Sequence, residues 1–97
     1  MASGSTVAAN TVVTRIDHCL AIEVDHEYVM MDVESGVYFG LDRIGTDIWN
    51  LLENPRRVAD LCAELERRYA APLDVITADV CALLDRLIDE GLASVQA

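Results

Sequence analysis

Residues 37–52 read VYFGLDRIGTDIWNLL, and within them the hydrophobic pattern changes from that of a strand to that of a helix. Val37-Tyr-Phe-Gly-Leu41 is uncharged and contains β-branched and aromatic side chains, which are typical of strands. Asp42 is a good helix N-cap, because its carboxylate can accept a hydrogen bond from a backbone N–H of the first turn. Helical spacing follows at Ile44, Ile48, Leu51 and Leu52, with Trp49 beside them.

Two more strands are predicted before this segment. Cys19–Val24 places Leu20, Ile22 and Val24 on one face, and a short polar turn leads into residues 28–33. A second polar turn at residues 34–36 leads into the third strand. Three short β-rich runs joined by tight turns indicate an antiparallel meander.

Two more amphipathic helices are predicted after the first. Asn54 as N-cap and Pro55 as first helical residue suit the start of the second helix. Pro72 ends that helix, and Asp74 can cap a third one. Gly91 suits the left-handed position after the third helix.

Residues 92–95 then form a short closing strand. We therefore expect an α+β fold, in which a three-stranded antiparallel sheet is followed by a three-helix bundle. The order of the helices, the glycine and the closing strand resembles a winged helix-turn-helix.

With 97 residues the chain has room for one domain. Residues 1–14 are small and polar and predict a flexible N-terminal arm, and residues 15–97 predict a single domain. No apolar run is long enough to span a bilayer, and the first residues lack the pattern of a secretory signal. We expect a soluble cytoplasmic protein.

The charge balance argues against nucleic acid and anionic membranes as partners. Seven basic residues stand against seventeen acidic ones, for a formal net charge of −10. Binding to phosphates requires Lys and Arg to replace counterions. The predicted third helix carries mainly acids, with Arg86 as its one base, so it does not suit the major groove of DNA.

No metal site, cofactor site or catalytic constellation is predicted. Cys19, Cys62 and Cys81 form no C-x-x-C pair, and His18 and Cys19 would point to opposite faces of a strand. His26 lies in a turn with no nucleophile motif beside it. The glycines form no phosphate-binding loop. We expect no enzyme activity.

The predicted third strand has neither a charge nor a proline to protect its edge. Gly40 would let a foreign backbone approach closely. A peptide that adds there gains main-chain hydrogen bonds of about 1 kcal/mol each. The alternative is that the strand only packs its apolar face on the helices, and both can hold, because a strand's face and its edge are different surfaces.

The segment from Tyr38 to Leu52, the Val58…Leu61…Leu65 helix and the Asp79…Leu83…Gly91-Leu92 pattern together resemble the PqqD-like proteins. These are the leader-peptide recognition domains of pathways for ribosomally synthesised, post-translationally modified peptides (RiPPs). The chain is most similar to the stand-alone members of lasso-peptide clusters. The resemblance covers about residues 18–95 and leaves the N-terminal arm outside it.

The resemblance implies a three-stranded sheet with a three-helix bundle and no catalysis. It implies that a leader peptide adds as an antiparallel strand to the third strand, beside the third helix. Asp79 could accept a polar or basic group of the leader, or could simply be solvated. Leu41, Ile48, Trp49, Leu52 and Leu61 are expected in the core. The peptide-binding residues carried over are Val37, Tyr38, Phe39, Gly40, Leu41, Val75, Ile76, Asp79, Val80 and Leu83.

The lasso likeness further implies a cysteine leader peptidase and an ATP-dependent cyclase as partners in antibiotic biosynthesis. A radical-based modifying enzyme is the other option within the family. Outside it, an acidic winged-helix regulator that acts through protein contacts without binding DNA remains an alternative. A homodimer paired through the free edge is another, and an enzyme acting alone is the least favoured.

Overall fold

The computed structural model describes residues 7–16 and 19–96, which fold into two small antiparallel sheets and three helices. The predicted α+β class, with a three-stranded antiparallel sheet and three helices, is confirmed. The likeness to a winged helix-turn-helix stays a prediction. The elements are β1 (Val12–Arg15), β2 (Cys19–Val24), β3 (Glu27–Asp32), β4 (Tyr38–Leu41), α1 (Arg43–Leu51), β5 (Arg56–Arg57), α2 (Val58–Tyr69), α3 (Leu73–Asp89) and β6 (Ala93–Gln96).

The first sheet has the order β2-β3-β4, as the predicted meander requires. Val24 pairs with Glu27 across a two-residue turn, and β4 pairs with β3 from Tyr28↔Leu41 to Met31↔Tyr38. The turn residues Asp25 and His26 both have positive φ, which matches the twist that tight hairpins favour. β3 is therefore central, and β2 and β4 are the edge strands.

A second sheet, of order β5-β1-β6, is formed by segments from the two ends of the chain and from the loop before α2. Val13 of β1 is fully buried and pairs with Val95 of β6. The prediction of a flexible arm over residues 1–14 is therefore wrong for residues 12–14, whose β-branched side chains suit a strand. The predicted closing strand is confirmed as β6. Residues 1–6 and His18 lie outside the described residues.

The predicted start of the second helix at Asn54 and Pro55 is wrong. Arg56 and Arg57 instead form β5, which pairs with β1, and α2 begins at Val58. Because these two residues pair with β1, their backbone is extended, and the helix can begin only after them.

The other helix ends mostly follow the sequence. The Gly45 N–H donates to Asp42 Oδ1 at 2.8 Å, so the predicted cap of α1 is confirmed. Asp74 does not cap α3, because the helix already begins at Leu73 and Asp74 lies in its first turn. Gly91 follows α3 with φ +75°, as predicted. The Leu92 N–H donates back to the carbonyl of Leu87, within the last turn of α3, at 2.8 Å.

One hydrophobic core joins the three helices to the inner face of the β2-β3-β4 sheet. Met30 and Phe39 supply the inner face, and the Tyr28 N–H donates to Thr46 Oγ1 at 3.1 Å, which ties β3 to α1. In the described part of the chain no helix is long and apolar enough to cross a bilayer. All five residues predicted for the core are buried, which confirms that prediction: Leu41, Ile48, Trp49, Leu52 and Leu61.

Candidate functional site

The outer edge of β4 is open to a further strand. β4 pairs with β3 on one side, and among residues 7–16 and 19–96 no strand pairs with its other side. The strands nearest the two ends of the chain, β1 and β6, pair with each other in the second sheet. Neither of them therefore occupies this edge.

The register shows which backbone groups the open edge presents. The Asp32 N–H donates to the Val37 carbonyl at 3.0 Å, so this pair bonds across β3 and β4. In an antiparallel ladder alternate residues bond to the same neighbour, and those between them point the other way. Tyr38 and Gly40 therefore direct their N–H and C=O groups out of the sheet, and the edge offers two donors and two acceptors.

An open groove of about 400 Å³ lies between this end of β4, the start of α1 and one face of α3. Its walls combine apolar side chains with two carboxylates and one guanidinium. A second concave region runs from Gly40 across to the β2–β3 turn. The residues that line the groove are Gly40, Leu41, Asp42, Ile44, Gly45, Ile48, Asp79, Ala82, Leu83 and Arg86.

The predicted strand residues take different positions. Phe39 and Leu41 turn their side chains into the core and are buried. Tyr38 points to the opposite face and is 70% exposed. Val37 lies just before β4, and Gly40 has open space where a Cβ would stand.

The predicted residues of α3 also divide into groups. Asp79 and Leu83 line the groove together with Gly40 of β4. Ile76 and Val80 are buried in the core behind it. Val75 is half exposed and is not among the residues that line the groove.

Arg86 is a groove residue that the sequence reasoning missed. Its guanidinium lies over the ring of Phe39, 4.6 Å from the centroid, in a cation–π contact. It follows Asp79 by seven residues, so both lie on the same side of α3, about 10 Å apart. That spacing was visible in the sequence. The groove thus carries one negative and one positive group along its helical wall.

The residues whose pKa values are shifted lie on α2, and none of them lines the groove. Burial raises the pKa of the Cys62 thiol. Burial, followed by the hydrogen bond that Tyr69 donates to Asp47, raises the pKa of the Tyr69 phenol to about 12. Within the described residues no group of three or more His, Cys, Asp or Glu side chains could hold a metal ion.

Comparison with known proteins gives a family and one curated relative. The model of the family described as "Coenzyme PQQ synthesis protein D (PqqD)" matches residues 27–93. The "PqqA binding protein" of Bradyrhizobium diazoefficiens is 38% identical over 50 residues, which are 52% of this chain and 48% of that protein. The chain thus spans about half the length of the curated relative that it matches.

Three solved structures share the fold. TbiB1 in complex with the TbiA(beta) leader peptide has a TM-score of 0.76 at 27% identity, over 87% of this chain and 98% of that one. A lasso peptide synthetase B1 complexed with the leader peptide has a TM-score of 0.73 at 23% identity, over 84% and 96%. The PqqD truncation of Methylobacterium extorquens PqqCD has a TM-score of 0.76 at 17% identity, over 93% and 96%.

The last two structures support the fold alone, because their identity to this chain is low. The family match covers more than two thirds of the 97 residues and includes β3, β4 and all three helices. The resemblance identified in the sequence is thereby confirmed, and the chain belongs to the PqqD family.

Proposed function

We propose that this protein is a non-catalytic RiPP recognition element. In this proposal the leader of a precursor peptide binds as an extra antiparallel strand on the open edge of β4. The observation that carries the proposal is the outward direction of the Tyr38 and Gly40 backbone groups beside an open groove. TbiB1, which is 27% identical to this chain, is solved in complex with a leader peptide, and this supports leader binding as the function.

Backbone pairing alone would give modest affinity. Four hydrogen bonds at about 1 kcal/mol each contribute about 4 kcal/mol, and the loss of translational and rotational freedom on association opposes this gain. Side chains of the leader must therefore enter the groove. Leu83 and Ala82 offer an apolar surface there.

The charges on α3 would then select the leader sequence. Asp79 suits a basic or polar group, and Arg86 suits an acidic one. Their separation of about 10 Å equals about three residues of an extended strand. Because alternate side chains of a strand share a face, we expect the two leader groups two or four positions apart.

Leader capture would serve a modifying pathway of the lasso type, as in antibiotic biosynthesis. The bound precursor would be delivered to a cysteine leader peptidase and then to an ATP-dependent cyclase. A radical-based modifying enzyme is the corresponding partner if the pathway is of the cofactor type. The protein itself would need no cofactor, and its location in the cytoplasm stays a prediction.

Titration with synthetic leaders from several pathways by calorimetry tests whether one is bound. N-methylation of the bound leader, one residue at a time, then tests the mode of binding. Strand addition predicts that methylation weakens binding at every second residue across the paired segment, because only alternate N–H groups face β4. Equal effects at neighbouring positions would contradict strand addition.

An acidic regulator of winged-helix type is the second candidate. The observation in its favour is the excess of acids on α3, where four Asp residues accompany the single Arg86. It predicts that a transcription factor is retained in a pull-down, whereas leader peptides are not. A gel shift with duplex DNA at low salt checks the expected lack of DNA binding.

A homodimer paired through β4 is the third candidate, and the observation in its favour is the open edge of that strand. It predicts a mass that falls on dilution in light scattering. It also predicts that leader peptide and dimerisation compete for the same edge.

A further inference from the structure

A second cavity, of about 260 Å³, lies between α2 and α3 and contains two cysteines. Cys62 of α2 is buried, Cys81 of α3 is partly exposed, and both thiols are free. The hydroxyl of Thr77, one turn before Cys81 on α3, donates a hydrogen bond to the Cys62 sulfur. The two helices therefore bring a pair of thiols to one cavity, and leader binding uses neither of them.

The cavity and the leader groove lie on opposite sides of α3. Thr77 and Cys81 are four residues apart, so they share the side that lines the cavity. Arg86 follows Thr77 by nine residues, about two and a half turns, and therefore lies on the opposite side. Asp79 lines the groove together with Arg86. A movement of α3 towards the cavity is thus a movement of the groove wall away from β4.

The two thiols differ in their access to solvent. Cys81 is partly exposed, so a reagent in solution reaches its sulfur first. Burial raises the pKa of the Cys62 thiol, which keeps that thiol protonated and slow to react with a reagent in solution. Cys81 is therefore suited to attack an oxidant, and Cys62 is suited to resolve the product.

A disulfide across this cavity is compatible with the packing of two helices. Packed helices have axes about 8–10 Å apart and Cα atoms about 2.3 Å from each axis, so facing Cα atoms lie about 3.5–5.5 Å apart. A disulfide requires about 4.4–6.8 Å between Cα atoms. The small side chains of Ala59 and Ala63 leave room in the cavity for the sulfur atoms to turn towards each other.

We propose that Cys62 and Cys81 form a redox site that undergoes thiol–disulfide exchange with a low-molecular-weight disulfide. The Cys81 thiolate attacks one sulfur of that disulfide, whose S–S bond breaks and releases one thiolate, and a mixed disulfide forms at Cys81. The Cys62 sulfur then loses its proton and attacks the Cys81 sulfur, which releases the second thiolate. The protein gives up two electrons and two protons, and the reagent is reduced to two thiols.

The cross-link would lower leader affinity, a consequence that rests on the function proposed above. Two bonded sulfur atoms lie about 2 Å apart, and closing to that distance draws α3 towards α2. The groove wall then withdraws from β4, and Arg86 moves away from the Phe39 ring that it covers at 4.6 Å. We expect the cross-linked form to bind the leader at least about fivefold more weakly, which corresponds to the loss of one groove contact.

The test uses the full chain carrying Cys19→Ala, in which Cys62 and Cys81 are the remaining thiols. Excess oxidised glutathione is the probe. The intact mass of the folded protein should fall by two hydrogen atoms, with no glutathione attached, and a reductant should restore it. A protein that keeps both thiols at equilibrium, or that stops at a glutathione adduct, would overturn the proposal.

Two single variants in the same background test the order of attack. Cys62→Ala keeps the partly exposed thiol and should stop at one attached glutathione. Cys81→Ala keeps only the buried thiol and should stay unmodified while it is folded, as judged by circular dichroism. Faster modification of folded Cys81→Ala than of Cys62→Ala would overturn the role of Cys81 as the attacking thiol.

Calorimetric titration with leader peptide tests the coupling between the cavity and the groove. The double variant Cys62→Ala/Cys81→Ala, treated with oxidised glutathione, is the matched control and should bind the leader like the reduced protein. Equal affinity of the reduced and cross-linked forms would overturn the coupling. Failure of the reduced protein to bind any leader would refute the proposed function, whereas the mass measurement would still decide on the redox site.

Discussion

Replacing Tyr38 with proline should weaken leader binding while leaving the fold intact. The substitution removes one of the two N–H groups that β4 directs out of the sheet. A carbonyl group of the leader would then be buried in the complex without a hydrogen-bond donor, which costs about 1–3 kcal/mol of binding free energy. That loss corresponds to about a 5- to 150-fold increase in Kd.

The structure predicts little damage to the fold. The N–H of Tyr38 does not bond to β3, and the side chain is 70% exposed, so neither a ladder bond nor core packing is lost. Proline is tolerated on edge strands where its nitrogen faces outward. Helical circular dichroism and the midpoint of urea unfolding should stay close to those of the parent.

Calorimetric titration with the bound leader measures the effect, and two matched variants isolate its cause. Tyr38→Ala keeps the N–H and should retain most of the affinity. Glu23→Pro makes the same change on β2: because Val24 and Glu27 pair across the turn, the neighbouring Glu23 directs its N–H away from β3. Parent-like affinity in folded Tyr38→Pro, or a loss only in Glu23→Pro, would refute strand addition at β4.

Three further predictions concern the fold. Gly91→Ala should lower the free energy of unfolding in urea by about 1–2 kcal/mol, because φ is +75° there. Gly40→Ala is the control: the position that the new Cβ would occupy is open, so the free energy of unfolding should stay within about 0.5 kcal/mol of the parent. Val13→Ala should lower the free energy of unfolding by about 2 kcal/mol, since the side chain is fully buried. An unchanged free energy of unfolding would contradict the packing of β1 against the core. The Tyr69 phenol has a pKa of about 12 when folded and 10.0 as its ordinary value, so its contribution to stability is present below pH 10.0 and is lost as pH rises towards about 12. Asp47→Asn, which removes the charged acceptor, should lower this pKa in a titration of tyrosinate absorbance.

The sequence predicted the segment from β4 into α1 well, because several local signals agree there. An uncharged strand, the Asp42 N-cap and helical spacing after it all lie within sixteen residues. The buried position of Ile48 follows from that spacing. Local sequence patterns are sufficient to predict an element when its own residues carry the hydrophobic spacing or the cap.

The second sheet escaped the sequence reasoning because its signals are not local. β5 consists only of Arg56 and Arg57, and no hydrophobic pattern marks two arginines as a strand. β1 is four residues long and depends on β6, some eighty residues away. Such pairings exist only once the core has brought the ends of the chain together.

For a related reason, the sequence did not show which of the predicted site residues face the core. Side chains on β2 and β3 alternate between the two faces of the sheet, but both sets are largely apolar. The pattern therefore could not show which set faces the core and which faces solvent. The apolar stripe of α3 was likewise predicted without its direction, and Ile76 and Val80 proved to lie in the core. Arg86 belongs to the groove only because α3 packs beside Phe39.

Residue-resolved amide hydrogen exchange, with and without bound leader, tests the central claim most directly. Addition of a strand to β4 predicts that exchange slows at Tyr38 and Gly40, whose N–H groups point out of the sheet, and much less at Glu23 on the opposite edge. Slowing confined to Glu23 and its neighbours on β2, or none at Tyr38 and Gly40 in a saturated complex, would contradict it.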